Sequence, residues 1–275
     1  MVIPAFNEEE GIAAVVQGML SRGPWREVIV VDDGSTDGTA ERAGAAGARV
    51  VRHPYNKGNG AAVKTGIREA EGPVVLLMDA DGQHAPEDAG ALIAPVGVQD
   101  MVIGARASQD QAWTRALGNA IFKAVASWLT GRPIPDLTSG FRAARRDRLV
   151  DILHLLPNGF SYPTTSCLAM LKAGHNVAFV PITARRRSGR SKIRALRDGT
   201  RFLLIIFKIV TLYSPLKIFF PVSATSLLLG CAYGAWNVVV HGKIPMGAAL
   251  LIQLAVVVFL FGLISEQIAS AQERR

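Results

Sequence analysis

Hydrophobic positions along the chain follow two regimes. From Met1 to about Phe179, short apolar runs alternate with stretches whose apolar residues recur at helical spacing. The runs Glu27–Val31, Ala48–Val51, Val74–Met78, Met101–Ile103 and Val177–Val180 read as buried strands. Glu8–Leu20, Thr36–Ala46, Gly60–Ala70, Pro86–Val96 and Ala116–Leu129 read as helices. Alternation of this kind predicts an α/β fold, a mostly parallel sheet with helices on both faces. In such sheets ligands lie beyond the carboxyl ends of the strands, so the residues after each strand are where chemistry is expected. Met1-Val2-Ile3-Pro4 reads as a strand begun in mid-stride, without the basic and apolar regions of a signal peptide. Either that strand is short or the natural start lies upstream.

The last quarter obeys the second regime. Ile218–Val240 is 23 residues without a charge and Ile244–Ser265 is 22 more. Each is long enough to cross a hydrocarbon core of about 30 Å. His241-Gly242-Lys243 between them is only a turn, which predicts a transmembrane hairpin; the alternative is a helical hairpin buried in a soluble core. Eight basic residues lie between Arg185 and Arg201, followed by the apolar stretch Phe202–Leu212, interrupted by Lys208. Residues 193–213 therefore read as an amphipathic helix lying on anionic lipid, and the basic flank puts the N-terminal domain and both termini on the cytoplasmic side of a cell (inner) membrane. The expected organisation is a catalytic domain over 1–192, the interfacial helix over 193–213 and the hairpin with a short tail over 214–275.

Composition narrows this picture. With 275 residues there is room for one large or two small domains. A 49% hydrophobic content and a mean hydropathy of +0.26 are too apolar for an ordinary soluble protein and too polar for a multi-span transporter. The charged fraction of 19% argues against intrinsic disorder. Cys167 and Cys231 are too few and too far apart for a disulfide scaffold or a cysteine zinc site. The net charge of +8 suits nucleic acid, anionic lipid or a phosphorylated substrate. No nucleic-acid-binding motif accompanies the basic cluster, and the neighbouring hairpin makes lipid headgroups the simpler partner.

The strand ends carry the candidate chemistry. Glu27–Val31 runs into Asp32-Asp33-Gly34-Ser35-Thr36-Asp37, where carboxylates beside a glycine turn can hold a base or ribose, or can simply cap a turn. Val74–Met78 runs into Asp79-Ala80-Asp81-Gly82-Gln83-His84. Strand alternation would point Asp79 and Asp81 the same way, about 7 Å apart, to share a hard divalent cation with a pyrophosphate. Gln83 could add a neutral oxygen and His84 could stand behind; all-oxygen ligation suits Mg²⁺ or Mn²⁺ rather than zinc. Asn56-Lys57-Gly58-Asn59-Gly60-Ala61 opens a helix whose amides, with Lys57, could face phosphates, but it lacks the third glycine of a dinucleotide fingerprint and is no P-loop. Leu137-Thr138-Ser139-Gly140-Phe141-Arg142, after Asp136, is a small-residue break that either closes over a ligand or merely connects helices around a buried Phe.

In order along the chain stand Pro4-Ala5-Phe6-Asn7-Glu8-Glu9, Val31-Asp32-Asp33-Gly34-Ser35-Thr36-Asp37, Asn56-Lys57-Gly58, Asp79-Ala80-Asp81-Gly82-Gln83-His84, Gly104-Ala105-Arg106, Ser139-Gly140-Phe141-Arg142 and Arg187-Ser188-Gly189-Arg190-Ser191-Lys192. Together they resemble the family 2 glycosyltransferases of GT-A fold, and more closely the polyprenyl-phosphate glycosyltransferases, which include dolichol-phosphate mannose synthases and bactoprenol glucosyltransferases. The resemblance spans essentially the whole chain. Two departures accompany it: the strand before Pro4 is truncated, and no Gln-x-x-Arg-Trp signature of processive polysaccharide synthases occurs.

The resemblance implies roles. Pro4, Ala5, Asn7, Glu8, Asp33, Lys57, Asp79, Ala80 and Asp81 would hold the nucleotide-sugar. Asp79, Asp81 and Gln83 would carry Mg²⁺ or Mn²⁺. Arg106, Arg115, Asn119, Arg187, Ser191 and Lys192 would receive the lipid phosphate, and Asp136 is a further candidate for orienting sugar or acceptor. The implied reaction is a metal-dependent, inverting transfer of a hexose to a polyprenyl phosphate, with UDP-glucose favoured as donor and GDP-mannose next. A membrane-bound nucleotidyltransferase and a non-catalytic scaffold of the same fold are the alternatives. Gly230, Ala232, Gly234 and Ala235 are small enough to let hairpins pack together in a homo-oligomer.

Overall fold

A computed structural model describes residues 1–23, 25–106, 123–128, 130–159, 162–183, 211 and 214–273. The chain separates into two compact units, Met1–Lys192 and Ile193–Arg275.

The first unit opens with β1 (Val2–Ala5), α1 (Ile12–Leu20), β2 (Ile29–Asp32), α2 (Thr39–Ala45), β3 (Arg49–Arg52), α3 (Asn59–Glu69) and β4 (Val74–Leu77). After a 3₁₀ turn at Pro86–Asp88 come α4 (Ala89–Ile93), β5 (Met101–Arg106), β6 (Arg142–Arg145), α5 (Arg146–Asp151), α6 (Tyr162–Lys172) and β7 (Val177–Ile182). The strands form one sheet in the order β3-β2-β1-β4-β6-β5-β7. β6 alone runs antiparallel, between β4 and β5. All five expected strands and the first four helices are present, with ends moved by a few residues. Residues 123–128 of the expected helix Ala116–Leu129 are helical, and its remainder lies outside the described residues.

Alternation along β1 shows why helices cover both faces. Ile3 and Ala5 point into a core with Ile12, Val16 and Met19 of α1, Ala43 of α2 and Leu92 of α4. Val2 points the other way and lies so close to α3 that a Cβ at Gly66 would collide with it. Helix α3 must therefore carry glycine at that position.

β6 is a correction to the reading of 137–142 as a connection between helices. Arg-Ala-Ala-Arg has no strand-like apolar run, yet Arg142, Ala143 and Ala144 are buried and pair with Leu77, Leu76 and Val75. The strand is held by neighbours on both sides, and small alanines suit a position covered on both faces.

The second unit is a pair of helices, α7 (Leu216–His241) and α8 (Met246–Glu273), turned at Gly242, whose φ of 65° is left-handed. The most apolar windows of these helices are only 11% and 17% buried, and Leu228, Val239 and Ile244 stand open. Helices this long, apolar and exposed fit association with a membrane. Ser223 Oγ donates to Ala255 O at 2.8 Å, and Leu216 N–H donates to Glu266 Oε2 at 3.1 Å. A Cβ at Gly230 would meet Ile252 and Leu251, and one at Gly234 would touch Ala248. Both glycines thus allow close packing of the two helices within the hairpin.

Candidate active site

A cleft of about 270 Å³ lies beyond the carboxyl ends of β1, β2 and β4, lined by Pro4, Ala5, Phe6, Glu8, Asp33, Asn56, Asn59, Ala62, Asp79, Ala80 and Asp81. It gathers seven of the nine residues expected to hold a nucleotide-sugar: Pro4, Ala5, Glu8, Asp33, Asp79, Ala80 and Asp81. Asn7 and Lys57 are not on its lining.

Asn7 instead stitches the loops that frame the cleft. It adopts a left-handed φ of 53°, which asparagine tolerates better than most residues. Its N–H donates to Ser35 Oγ, and its Oδ1 accepts from Thr36 N–H, both at 2.9 Å. Glu8 N–H donates to Thr39 Oγ1 at 2.9 Å, and Glu9 N–H donates to Asp37 Oδ2 at 3.3 Å. The Ser-Thr-Asp run after β2 therefore braces the β1 loop, and α2 starts at Gly38 without a side-chain cap.

Asp33 is buried, and its carboxylate accepts Lys57 N–H at 3.0 Å and Gly58 N–H at 2.7 Å. Gly60 and Ala61 N–H donate to Gly159 O and Asn158 O, at 3.2 and 3.0 Å. The amides at the start of α3 thus face protein acceptors, which corrects their assignment to phosphate. The Lys57 ammonium stands 5.7 Å from the centre of the Tyr55 ring.

Asp79 and Asp81 follow β4, but the strand stops at Leu77 and Ala80–Asp81 is a turn closed by Gly82 at φ 70°. Strand alternation therefore does not place the two carboxylates; the turn does, and both still face one cleft. Asp81 Oδ1 accepts Gln83 N–H at 3.1 Å, and His84 Nε2 lies 3.9 Å from Asp79 Oδ2. His84 is buried behind the loop with its ring 5.1 Å from that of Phe141. A Cβ at Gly140 would overlap the Asp79 carboxylate, so the small-residue loop is what gives Asp79 room. Gln83 takes part through its backbone and is not on the cleft lining.

Among the described residues no group of three or more His, Cys, Asp or Glu side chains cages a metal. Two carboxylates opening on a nucleotide-sized cleft nevertheless fit Mg²⁺ or Mn²⁺, which bind through one or two carboxylates and complete their shell with phosphate oxygens and water.

Arg106, at the end of β5, forms a two-pronged ion pair with Asp136: Nε to Oδ2 at 2.8 Å and Nη2 to Oδ1 at 3.1 Å. Its Nη2 also donates to Thr138 Oγ1 at 2.7 Å. Burial alone would raise the Asp136 pKa, but hydrogen bonds and charge from Arg106 outweigh it and hold the carboxyl below its usual range. Burial opposes the charge on Arg106 as well; Asp136, with smaller contributions from Asp79 and Asp81, raises its pKa regardless. Arg106 is therefore a lasting cation within the field of both acidic loop residues. Arg115, Asn119, Arg187, Ser191 and Lys192 lie outside the described residues.

Two buried side chains near this site have no role assigned from the sequence. Arg142 donates to Pro163 O at 2.8 Å and Ser166 Oγ at 2.7 Å, and also to Ser139 O, tying β6 to α6. His53 contacts Asp33 directly. Neither carries a local signal, because their partners are distant in sequence.

A carboxylate-lined cleft at the strand ends of a mostly parallel, helix-covered sheet is an arrangement that glycosyltransferases of GT-A fold share. Comparison with known proteins agrees. The profile of Glycosyl transferase family 2 matches residues 1–153, and that of the GtrB C-terminal hairpin matches residues 214–271. Glycosyltransferase AglJ of Haloferax volcanii is 32% identical over 98% of this chain and 93% of its own length. Polyprenol monophosphomannose synthase of Mycolicibacterium smegmatis is 32% identical over 76% of this chain and 84% of its own. Glucosyl-3-phosphoglycerate synthase from Mycobacterium tuberculosis, solved with Mn²⁺, uridine diphosphate and glucosyl-3-phosphoglycerate, superposes with a TM-score of 0.61. It covers 76% of this chain and 77% of its own at 22% identity, a likeness of fold. The chain belongs to glycosyl transferase family 2 and is a glycosyltransferase, akin to the enzymes that load sugars onto polyprenyl and dolichyl phosphates.

Proposed function

We propose that the chain transfers a hexose from a nucleotide-sugar, UDP-glucose first and GDP-mannose second, to a polyprenyl phosphate at the cytoplasmic face of a cell membrane. The observation that carries this reading is the shared cleft. Asp33 stands where a base or ribose can be held, Asp79 and Asp81 stand where a diphosphate can be met, and Arg106 adds a fixed cation beside them.

The acceptor phosphate, with a second pKa near 6, already carries an oxyanion at pH 7. It needs no strong general base, and that suits a site in which Asp136 is held ionised and engaged by Arg106. The acceptor oxygen attacks the anomeric carbon, the bond from that carbon to the donor's diphosphate breaks, and the nucleoside diphosphate leaves with the electron pair. One displacement of this kind turns an α-linked donor into a β-linked lipid phosphate. Pro4, Ala5, Glu8 and Asp33 would hold the nucleotide in loops braced by Asn7, with Lys57 and Ala80 at its edges. Asp79 and Asp81, the latter braced by Gln83 N–H, would hold Mg²⁺ or Mn²⁺, whose charge would stabilise the departing diphosphate. Arg106, Arg115, Asn119, Arg187, Ser191 and Lys192 would align the acceptor, a matter of position more than acidity.

The hairpin supports the membrane part of this reading. A polyprenyl tail leaves the bilayer at a cost of about 0.8 kcal/mol per methylene, so the enzyme has to work at the surface. The spans α7 and α8, with the basic residues of 185–201 as a cytoplasmic flank, would keep it there.

The test is a donor screen with full-length protein in lipid, undecaprenyl phosphate, Mn²⁺ or Mg²⁺, and UDP-glucose or GDP-mannose in turn. Lipid-linked hexose from one donor is the expected product. Pyrophosphate released from a nucleoside triphosphate would favour the nucleotidyltransferase reading, and no product with any donor would favour a scaffold.

A further inference from the structure

Behind Asp33 lies a buried relay that takes no part in the proposed transfer. His53 follows β3 and is 6% exposed. Its Nδ1 stands 2.6 Å from Asp33 Oδ1 and its Nε2 stands 2.9 Å from Thr65 Oγ1 on α3. With the proton on Nδ1, the Thr65 hydroxyl donates to Nε2 and the imidazole donates to Asp33. Every donor then has an acceptor, which is how buried polar chains persist.

Asp33 itself is 2% exposed, yet it lines the cleft. A carboxylate offers about four lone-pair sites. His53, Lys57 N–H and Gly58 N–H, all on the loop between β3 and α3, take three of them. The two backbone donors are themselves rigid. Gly34 lies against the Tyr55 backbone and Gly58 against Asn158 O, each so closely that a Cβ would collide. What remains is one acceptor site on a carboxylate that cannot turn.

We propose that His53, aligned by Thr65, is a positioning residue that orients Asp33 so that its last acceptor site selects nucleobases bearing a ring N–H. Uracil and guanine carry such a hydrogen on their pairing edge; cytosine and adenine present a bare nitrogen there, which a carboxylate repels. The inference rests on the reading of the cleft as a nucleotide-sugar site. It adds the buried side chains that hold Asp33 in place there.

The experiment measures calorimetric Kd values for UDP, GDP, CDP and ADP with Mn²⁺ on the full-length protein, alongside Tm, for wild type, H53N, H53L and T65V. Asparagine keeps an amide donor near the position of Nδ1; leucine keeps only bulk. Wild type should prefer UDP or GDP over CDP and ADP. H53L should lose about tenfold of that preference, the scale expected when a recognition hydrogen bond loses its geometry. H53N should retain the preference within about threefold and T65V should fall between them. A merely structural histidine would lower Tm and leave the preference alone; an unchanged preference in H53L or, should H53L not fold, in T65V overturns the proposal. So does H53N behaving like leucine. Wild type binding all four nucleotides alike overturns this inference alone, whereas wild type binding none overturns the donor reading with it.

Discussion

Arg106 and Asp136 grip each other through two parallel hydrogen bonds, Nε to Oδ2 at 2.8 Å and Nη2 to Oδ1 at 3.1 Å. Separated by 30 positions in sequence, they suggest different jobs, one on the lipid phosphate and the other on the sugar. In the fold they are one unit. A guanidinium clamped in this way cannot swing to follow a ligand, so whatever anion it meets must come to it in a set orientation. Its Nη2 is further fixed by Thr138, which places the 137–142 loop under the same control.

That pair should matter for stability as well as turnover. Replacing Asp136 by alanine leaves a mostly buried guanidinium without its partner, and should cost about 3 kcal/mol, the lower part of the range for buried pairs because Arg106 retains some exposure. Chemical denaturation of the two proteins at pH 7 measures the difference. The pH dependence has a definite sign. The folded-state pKa of Asp136 is lowered, so its stabilising contribution is present above the unfolded value of about 3.9 and is lost as pH falls through the lower folded value. Asp136→Asn should therefore differ from wild type at pH 6–8 by much more than at pH 2–3. A constant difference across that range would separate the pair from the effect.

Gly140 tests the supply of room to Asp79. A methyl group there would press on the Asp79 carboxylate. Gly140→Ala should lower kcat by about tenfold or more while Tm changes by only a few degrees, since the strain falls on a cleft-facing loop rather than on the core. Steady-state kinetics beside a melting curve would show it, and a loss of Tm without a loss of kcat would place the strain elsewhere.

Asp81→Ala should remove metal-dependent turnover, by about 10³-fold for several kcal/mol of lost charge stabilisation, without unfolding the domain. Chelation of wild type by EDTA should do the same and be reversed by Mn²⁺ or Mg²⁺. Activity that survives both treatments would contradict the assignment of these carboxylates.

The hairpin should be needed for the acceptor rather than for the chemistry. Removal of Ile218–Arg275 should depress turnover on a long polyprenyl phosphate far more than on a short, soluble one. Equal losses on both would mean that α7 and α8 support folding and not delivery of the lipid.

Much of the fold was legible because its strands are apolar and its helices periodic. Val74–Leu77 and Ile29–Asp32 lead straight into acidic turns, so the site could be found by reading past each strand. What escaped was non-local. β6 consists of Arg142, Ala143, Ala144 and Arg145, a sequence with no strand preference, which pairs with β4 on one side and β5 on the other. His53 lies 20 residues from Asp33 and 12 from Thr65, distances no periodicity spans. The Asp79-Ala80-Asp81 motif follows β4 and lines the cleft as its place in the sequence suggests, but not by strand geometry. Strand reasoning fails where Gly82 permits a turn, and both carboxylates still line the cleft. Gly230 and Gly234 illustrate the same limit, since small residues announce close packing without saying against which helix.

The most direct test of the central claim follows the atoms of a single transfer. Full-length protein would be given an α-linked nucleotide-hexose and polyprenyl phosphate labelled with ¹⁸O on its phosphate, and the lipid product examined by NMR and mass spectrometry. A β-linked hexosyl phosphate with labelled oxygen in the bridge to the sugar is the predicted result, because the acceptor oxyanion attacks the anomeric carbon in one step. An α-linked product, or nucleoside diphosphate released without any glycolipid, would contradict it.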